Sequence, residues 1–204
     1  MILQENQPNL GNHRPRVLWL VRHGETTWNS RGWVQGHVDG ARLTRAGRRQ
    51  VREAAAQLAG HPVGRVCSSD LYRARRTASV IAGRLGCDLE TDPRLRERCF
   101  GIAQGVHSNG MTSAVTGIED GIVVDEHARP PGGESLYDVY LRCRAFLHDL
   151  HGRTQEGEVV TVAHGGSIRM LHALITDSEL RGLEWGTVPN ASILRLVLPI
   201  SYPG

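Results

Sequence analysis

Residues 17–24, Val-Leu-Trp-Leu-Val-Arg-His-Gly, and residues 159–166, Val-Val-Thr-Val-Ala-His-Gly-Gly, follow one plan: a short apolar run, then a histidine followed by glycine. An apolar run without alternation belongs to a strand covered on both faces, which is the condition of parallel sheets flanked by helices. Between and around these strands the pattern switches to a helical period. From Thr44, a residue suited to an N-cap, Ala46, Val51, Ala54, Ala55 and Leu58 recur on one face until Gly60. A strand over 65–68 leads to a helix from about Asp70 to Leu85 closed by Gly86, and 87–91 forms a further short strand. Leu136, Val139, Tyr140, Cys143, Leu147 and Leu150 mark another helix. A last helix covers about Ser167 to Ile175, and Ile193 to Leu198 forms a last strand. Strands alternating with helices predict an α/β three-layer sandwich with a mostly parallel central sheet. The polar residues 1–15 read as a flexible arm, and 16–204 as the folded domain. Within it, about 101–133 is an irregular, cap-like excursion rich in glycine, serine, threonine and proline.

Composition narrows the chemistry. The chain has 204 residues, 40% hydrophobic and 22% charged, within the range of ordinary globular proteins and outside that of disordered or fibrous ones. All 24 basic side chains are arginine, which excludes a Schiff-base lysine and a lysine-dependent P-loop. Basic and acidic residues are interspersed to a net +3 and aromatics are 5%, so neither a nucleic-acid stripe nor a base-stacking platform is expected. Cys67, Cys87, Cys99 and Cys143 are far apart with no CxxC pair or secretory leader, which reads as free thiols of a cytoplasmic protein. No apolar run approaches the ~20 residues of a membrane helix. No spacing suggests a metal site, and the sequence leaves the oligomeric state open.

In open α/β sheets ligands collect beyond the carboxyl ends of the strands. That edge would gather Arg22 and His23, His164 and Gly165, and Arg73 from the first turns of the second helix. Two guanidiniums supply the charge and the forked donors that a phosphate dianion needs without a metal. A neutral imidazole, its tautomer fixed by a backbone carbonyl, could attack phosphorus while a protonated second histidine holds the oxygens. Exposed amides at Gly24 and Gly165 would add donors.

With these residues in place, LVRHGETTWN at 20–29 resembles the signature of the histidine phosphatase superfamily, also called phosphoglycerate mutase-like. QGHVD at 35–39, SSDLYRARRTA at 68–78, LRERCFG at 95–101, PGGES at 131–135 and VAHGGSIRML at 162–171 follow in the family's order. The resemblance implies His23 as nucleophile, Arg22, Arg73 and His164 as the phosphate pocket, and Glu97 as proton donor, with Glu25 the alternative acid. It implies Asn29, Gln35 and Gly165 as further substrate contacts, and no cofactor. Three departures stand out: GIAQG at 101–105 with Gln104, Cys99 near Glu97, and one extra residue between Asp39 and Thr44, where Arg42 replaces a common proline.

The expected activity is a metal-independent phosphatase acting on a small-molecule phosphate monoester through a phosphohistidine. The alternatives are a cofactor-dependent phosphoglycerate mutase and an inactive phospholigand-binding member. A short stretch from Glu97 to His164 and a short tail favour hydrolysis over the mutase. The other histidines, His37 among them, read as turn or surface residues, and Arg48, Arg49, Arg75, Arg76, Arg142 and Arg144 as solvated helix faces. Glu134 reads as a helix-start residue, and the excursion as the variable side of the pocket.

Overall fold

The computed structural model describes residues 17–153 and 157–198, so the arm expected at 1–15 lies outside the described residues. Strand β1 (Val17–Arg22) is followed by helix α1 (Arg45–Leu58), strand β2 (Val63–Ser68), helix α2 (Tyr72–Leu85) and strand β3 (Asp88–Thr91). The excursion contains isolated 3-10 turns, a single helical turn α3 (Ser113–Thr116) and a two-residue hairpin of β4 (Ile118–Glu119) and β5 (Ile122–Val123). Helix α4 (Leu136–Gly152), strand β6 (Glu158–Ala163), helix α5 (Gly165–Ile175) and strand β7 (Ile193–Val197) complete the order.

The main sheet runs β3-β2-β6-β1-β7, parallel except for β7, which pairs antiparallel with β1 at the edge. The continuous apolar runs are explained by burial on two sides. Leu18 and Leu20 pack with α4 and α5, whereas Val17, Trp19 and Val21 pack with α1 and α2. In β6, Val159 and Ala163 share the first core, and Val160 and Val162 the second. Each face is thus apolar because each is roofed by helices, as in other doubly covered sheets.

Local signals set most boundaries. Thr44 caps α1 by accepting from the Gly47 amide at 2.9 Å. Gly86 ends α2 in the left-handed region at φ 69°, where a side chain would be strained. Ser135 and Asp138 form a reciprocal capping box on α4. Two starts differ from the expectation. Helix α2 begins at Tyr72 because the Asp70 carboxylate is engaged by a forked pair with Arg96, at 2.7 and 2.6 Å, and does not cap the helix. Helix α5 begins at Gly165, since Ser167 Oγ accepts from the His164 amide and tightens that turn around His164.

Candidate active site

Register brings the two histidines together. Parallel pairing aligns Arg22 of β1 with Ala163 of β6, so His23 and His164 leave the sheet side by side. The His23 amide still donates to the Ala163 carbonyl at 3.0 Å. Their rings lie 5.1 Å apart between centroids, tilted at 59°. Strand β2 ends level with them: Ser68 pairs with Val162, and Ser69 Oγ lies 2.9 Å from His164 Nε2. Arg73, on the first turn of α2, donates to the carbonyls of Gly36 at 2.7 Å and Val38 at 3.1 Å. The structure therefore brings Arg22, His23, Arg73 and His164 to one sheet edge.

The packing behind His23 is tight. A Cβ on Gly24 would come within 2.6 Å of Val51 Cγ2 and 2.7 Å of the Gly47 carbonyl, so glycine lets α1 close against the strand end. The Gly24 amide is not exposed as expected, because it donates to Thr77 Oγ1 at 3.1 Å inside this contact. His23 Nδ1 lies 2.8 Å from the Gly24 carbonyl, which can only accept, so Nδ1 carries the proton and Nε2 the lone pair.

Burial governs the charges. His23 is 2% exposed and His164 is fully buried. Burial, then the Arg73 and Arg22 charges, holds the His23 pKa well below its ordinary 6.5. Burial, then Arg73 and His23, does the same to His164, so both rings favour the neutral form, against the protonated second histidine expected from sequence. Burial also lowers Arg73 to about 10, leaving it charged at neutral pH. Buried donors of this cluster, Arg22 Nε, Arg73 Nε and His164 Nδ1, have no hydrogen-bond partner among the described residues. Unmet buried donors beside two guanidiniums are the groups an oxyanion would satisfy.

Glu97 joins the cluster from the segment after β3. Its carboxylate accepts from the Gly166 amide at 3.1 and 3.2 Å and from the Arg98 amide at 2.8 Å. A Cβ on Gly166 would overlap that carboxylate, which accounts for the second glycine after His164. Glu25 is engaged elsewhere, accepting from Thr44 Oγ1 at the start of α1. Asn29 Oδ1 accepts from the Thr26 amide and hydroxyl, and Gln35 Oε1 from the same hydroxyl at 3.0 Å. The one Thr26 hydroxyl proton is shared between these two oxygens, and neither NH₂ group has a hydrogen-bond partner among the described residues. Gly165 opens α5 beside Glu97, where its Cβ position lies 3.9 Å from Oε2.

Several expectations are corrected. Arg142 is no solvated residue: it donates to the carbonyls of Arg94, Arg96 and Glu97 and forks onto Glu134, clamping the segment that carries Glu97. Glu134 precedes the Ser135 cap and receives the Cys99 amide as well as Arg142. His37 is half-buried, with Nε2 2.8 Å from the Glu97 carbonyl, and its amide donates to Gln104 Oε1 at 2.6 Å. Sequence reasoning missed Ser69, Asn190 and Arg169. Asn190 donates to the His23 carbonyl at 3.0 Å. Arg169, stacked 4.3 Å over Trp185, comes near the start of α5. Only Ser69 had a signal, its place just beyond the apolar end of β2. Among the described residues no group of three or more His, Cys, Asp and Glu side chains could hold a metal ion.

Comparison with known proteins agrees with this architecture. Residues 18–199 match the family model described as the histidine phosphatase superfamily, branch 1. The chain is 34% identical over 187 residues to the probable phosphoglycerate mutase GpmB of Enterobacter sp. strain 638, covering 88% of this chain and 83% of that protein. The structure of a mycobacterial glucosyl-3-phosphoglycerate phosphatase in complex with VO3 superposes with a TM-score of 0.79 at 34% identity, covering 88% of this chain and 92% of that one. Bacillus stearothermophilus YhfR gives 0.76 at 26% identity, covering 88% and 90%.

Proposed function

Because the chain belongs to the histidine phosphatase superfamily, we propose that it hydrolyses small-molecule phosphate monoesters, without a metal, through a phosphohistidine at His23. The observation that carries this reading is the buried, neutral His23, with Nδ1 facing a carbonyl, beside the unpartnered donors Arg22 Nε, Arg73 Nε and His164 Nδ1. His23 Nε2 attacks phosphorus as the bond to the ester oxygen breaks. Glu97 gives that oxygen its proton, then takes one from the water that attacks the phosphohistidine and releases phosphate. Arg22 and Arg73 balance the charge of the transferring group. Ser69 Oγ accepts from the Leu71 amide at 3.3 Å and has its own proton to give His164 Nε2. His164 Nδ1–H is then a donor to a phosphate oxygen, and a neutral ring suffices for that role.

Two of the relatives are named as a phosphatase and a probable mutase, activities that differ in what accepts the phosphoryl group. Gln104, the residue that leans toward a mutase, has its side-chain oxygen taken by the His37 amide, so here it ties the excursion to the Gly36–His37 turn. We therefore favour water as the acceptor. Enzyme quenched during turnover of a radiolabelled ester should carry acid-labile, base-stable phosphate, and His23→Ala should carry none. Base-labile label would move the nucleophile to another side chain. Interconversion of 3- and 2-phosphoglycerate faster than phosphate release, with 2,3-bisphosphoglycerate as primer, would favour the mutase.

A further inference from the structure

On the outer side of the α1/α2 layer lies a cavity of about 350 Å³ that shares no lining residue with the catalytic cluster. Its charge is of one sign. Arg42, Arg48, Arg52 and Arg76 line it, with no carboxylate among its lining residues. None of the four forms an ion pair among the described residues, and Arg48 Nη1 donates to the carbonyl of Leu43, which also lines the cavity, at 2.7 Å. Within α1, Arg49 faces Glu53 at i+4, whereas the residue four beyond Arg48 is Arg52. Like charges at that spacing repel, so an anion held between them would relieve the repulsion.

The apolar part is equally defined. Tyr72 and Val80 stand with Arg76 on one face of α2, at i, i+4 and i+8, and Val51 is the buried floor contributed by α1. The Arg42 guanidinium lies 4.2 Å over the Tyr72 ring, so the mouth already holds one planar group stacked on another.

We propose that this cavity binds a nucleotide, specifically a nucleoside di- or triphosphate. Four guanidiniums match the charge of a polyphosphate and fork onto its oxygens. The Arg42–Tyr72 ledge and the valines suit a flat base, and the volume falls in the range of pockets for small ligands. The site also touches the catalytic edge. Tyr72 precedes Arg73, its amide is held by Asp39 at 2.5 Å, and Val51 abuts Gly24 beside His23.

Isothermal titration with ATP in the presence of EDTA tests the assignment, using the wild type and an Arg22→Ala protein, which loses a phosphate-binding guanidinium of the catalytic pocket and no lining residue of this cavity. Both should bind, with ATP tighter than tripolyphosphate or adenosine. The double variant Arg52→Ala/Arg76→Ala changes only exposed side chains, and melting should show it folded. Its affinity for ATP should fall at least tenfold. Unchanged affinity in the double variant, or loss of binding in Arg22→Ala, overturns the proposal. So does absence of binding at millimolar ATP, or tripolyphosphate binding as tightly as ATP. A single-stranded oligonucleotide that binds through the same arginines more tightly than ATP would replace the small ligand with a nucleic acid.

Discussion

Glu97 holds two backbone N–H groups with its carboxylate, and those bonds decide how its proposed role can be tested. Replacing it with glutamine keeps an oxygen for the Gly166 and Arg98 amides and removes the transferable proton. General acid assistance is typically worth ~10²- to 10⁴-fold and matters most for a poor leaving group. Glu97→Gln should therefore slow phosphoenzyme formation from an alkyl phosphate by that factor, yet slow the reaction of p-nitrophenyl phosphate far less. Arg73→Ala should injure both substrates alike, because Arg73 serves the phosphoryl group and not the leaving oxygen. Stopped-flow bursts on both esters make the comparison. Equal losses in Glu97→Gln would assign the acid role to another group. Glu25 is poorly placed to take it, being engaged by Thr44.

At the scale of elements, the excursion is anchored from below by one buried arginine. Arg98 is 2% exposed and donates to the carbonyls of Val115, Thr116, Ala128 and Glu134, gathering a segment whose own regular structure is short turns, the single helical turn α3 and two two-residue strands. Arg98→Met should cost about 3 kcal/mol or more in urea unfolding, since each carbonyl loses its partner. Amide exchange at 112–130 should rise more than exchange in β1 or β6. Equal protection in the variant would mean that the excursion is held by other contacts. This anchor was invisible in the sequence, for a reason that extends to Arg142 and His37. All three bond to backbone carbonyls of irregular segments, and no periodicity reports where such carbonyls lie. The strands, by contrast, announced themselves because Leu18, Trp19, Val159 and Val160 must be apolar whichever face they serve. The start of α2 differs from the sequence expectation because the fate of Asp70 depends on Arg96, which arrives from another part of the chain.

For the whole molecule, the parallel register of β1 and β6 converts two distant His-Gly pairs into one buried site, and the apolar run before each pair makes them legible in the sequence. Their protonation was not legible, because it depends on burial. The consequence is a stability that depends on pH. His23 and His164 have folded pKa values well below 6.5, and the half-buried His37 is also lowered. The unfolded chain titrates near the ordinary value of about 6.5, so below that pH it binds protons that the folded protein refuses. Their contribution is thus fully present above pH 6.5 and is lost as pH falls toward the folded values. Each such histidine costs up to ~1.4 kcal/mol per pH unit in that window. Asp70, Glu90 and Asp138 are shifted downward too, but they titrate below their ordinary carboxylate values and do not enter it. Urea unfolding at pH 7.5 and 5.5 should therefore show a loss of roughly 2 to 3 kcal/mol at the lower pH. His164→Gln should reduce the slope by about one proton. A His164 that is protonated in the folded protein would remove its share of this loss, so the slope of the wild type against His164→Gln reads the charge state of that ring. Stability that stays level or rises from pH 7.5 to 5.5 would show that the two buried imidazoles accept protons in the folded state.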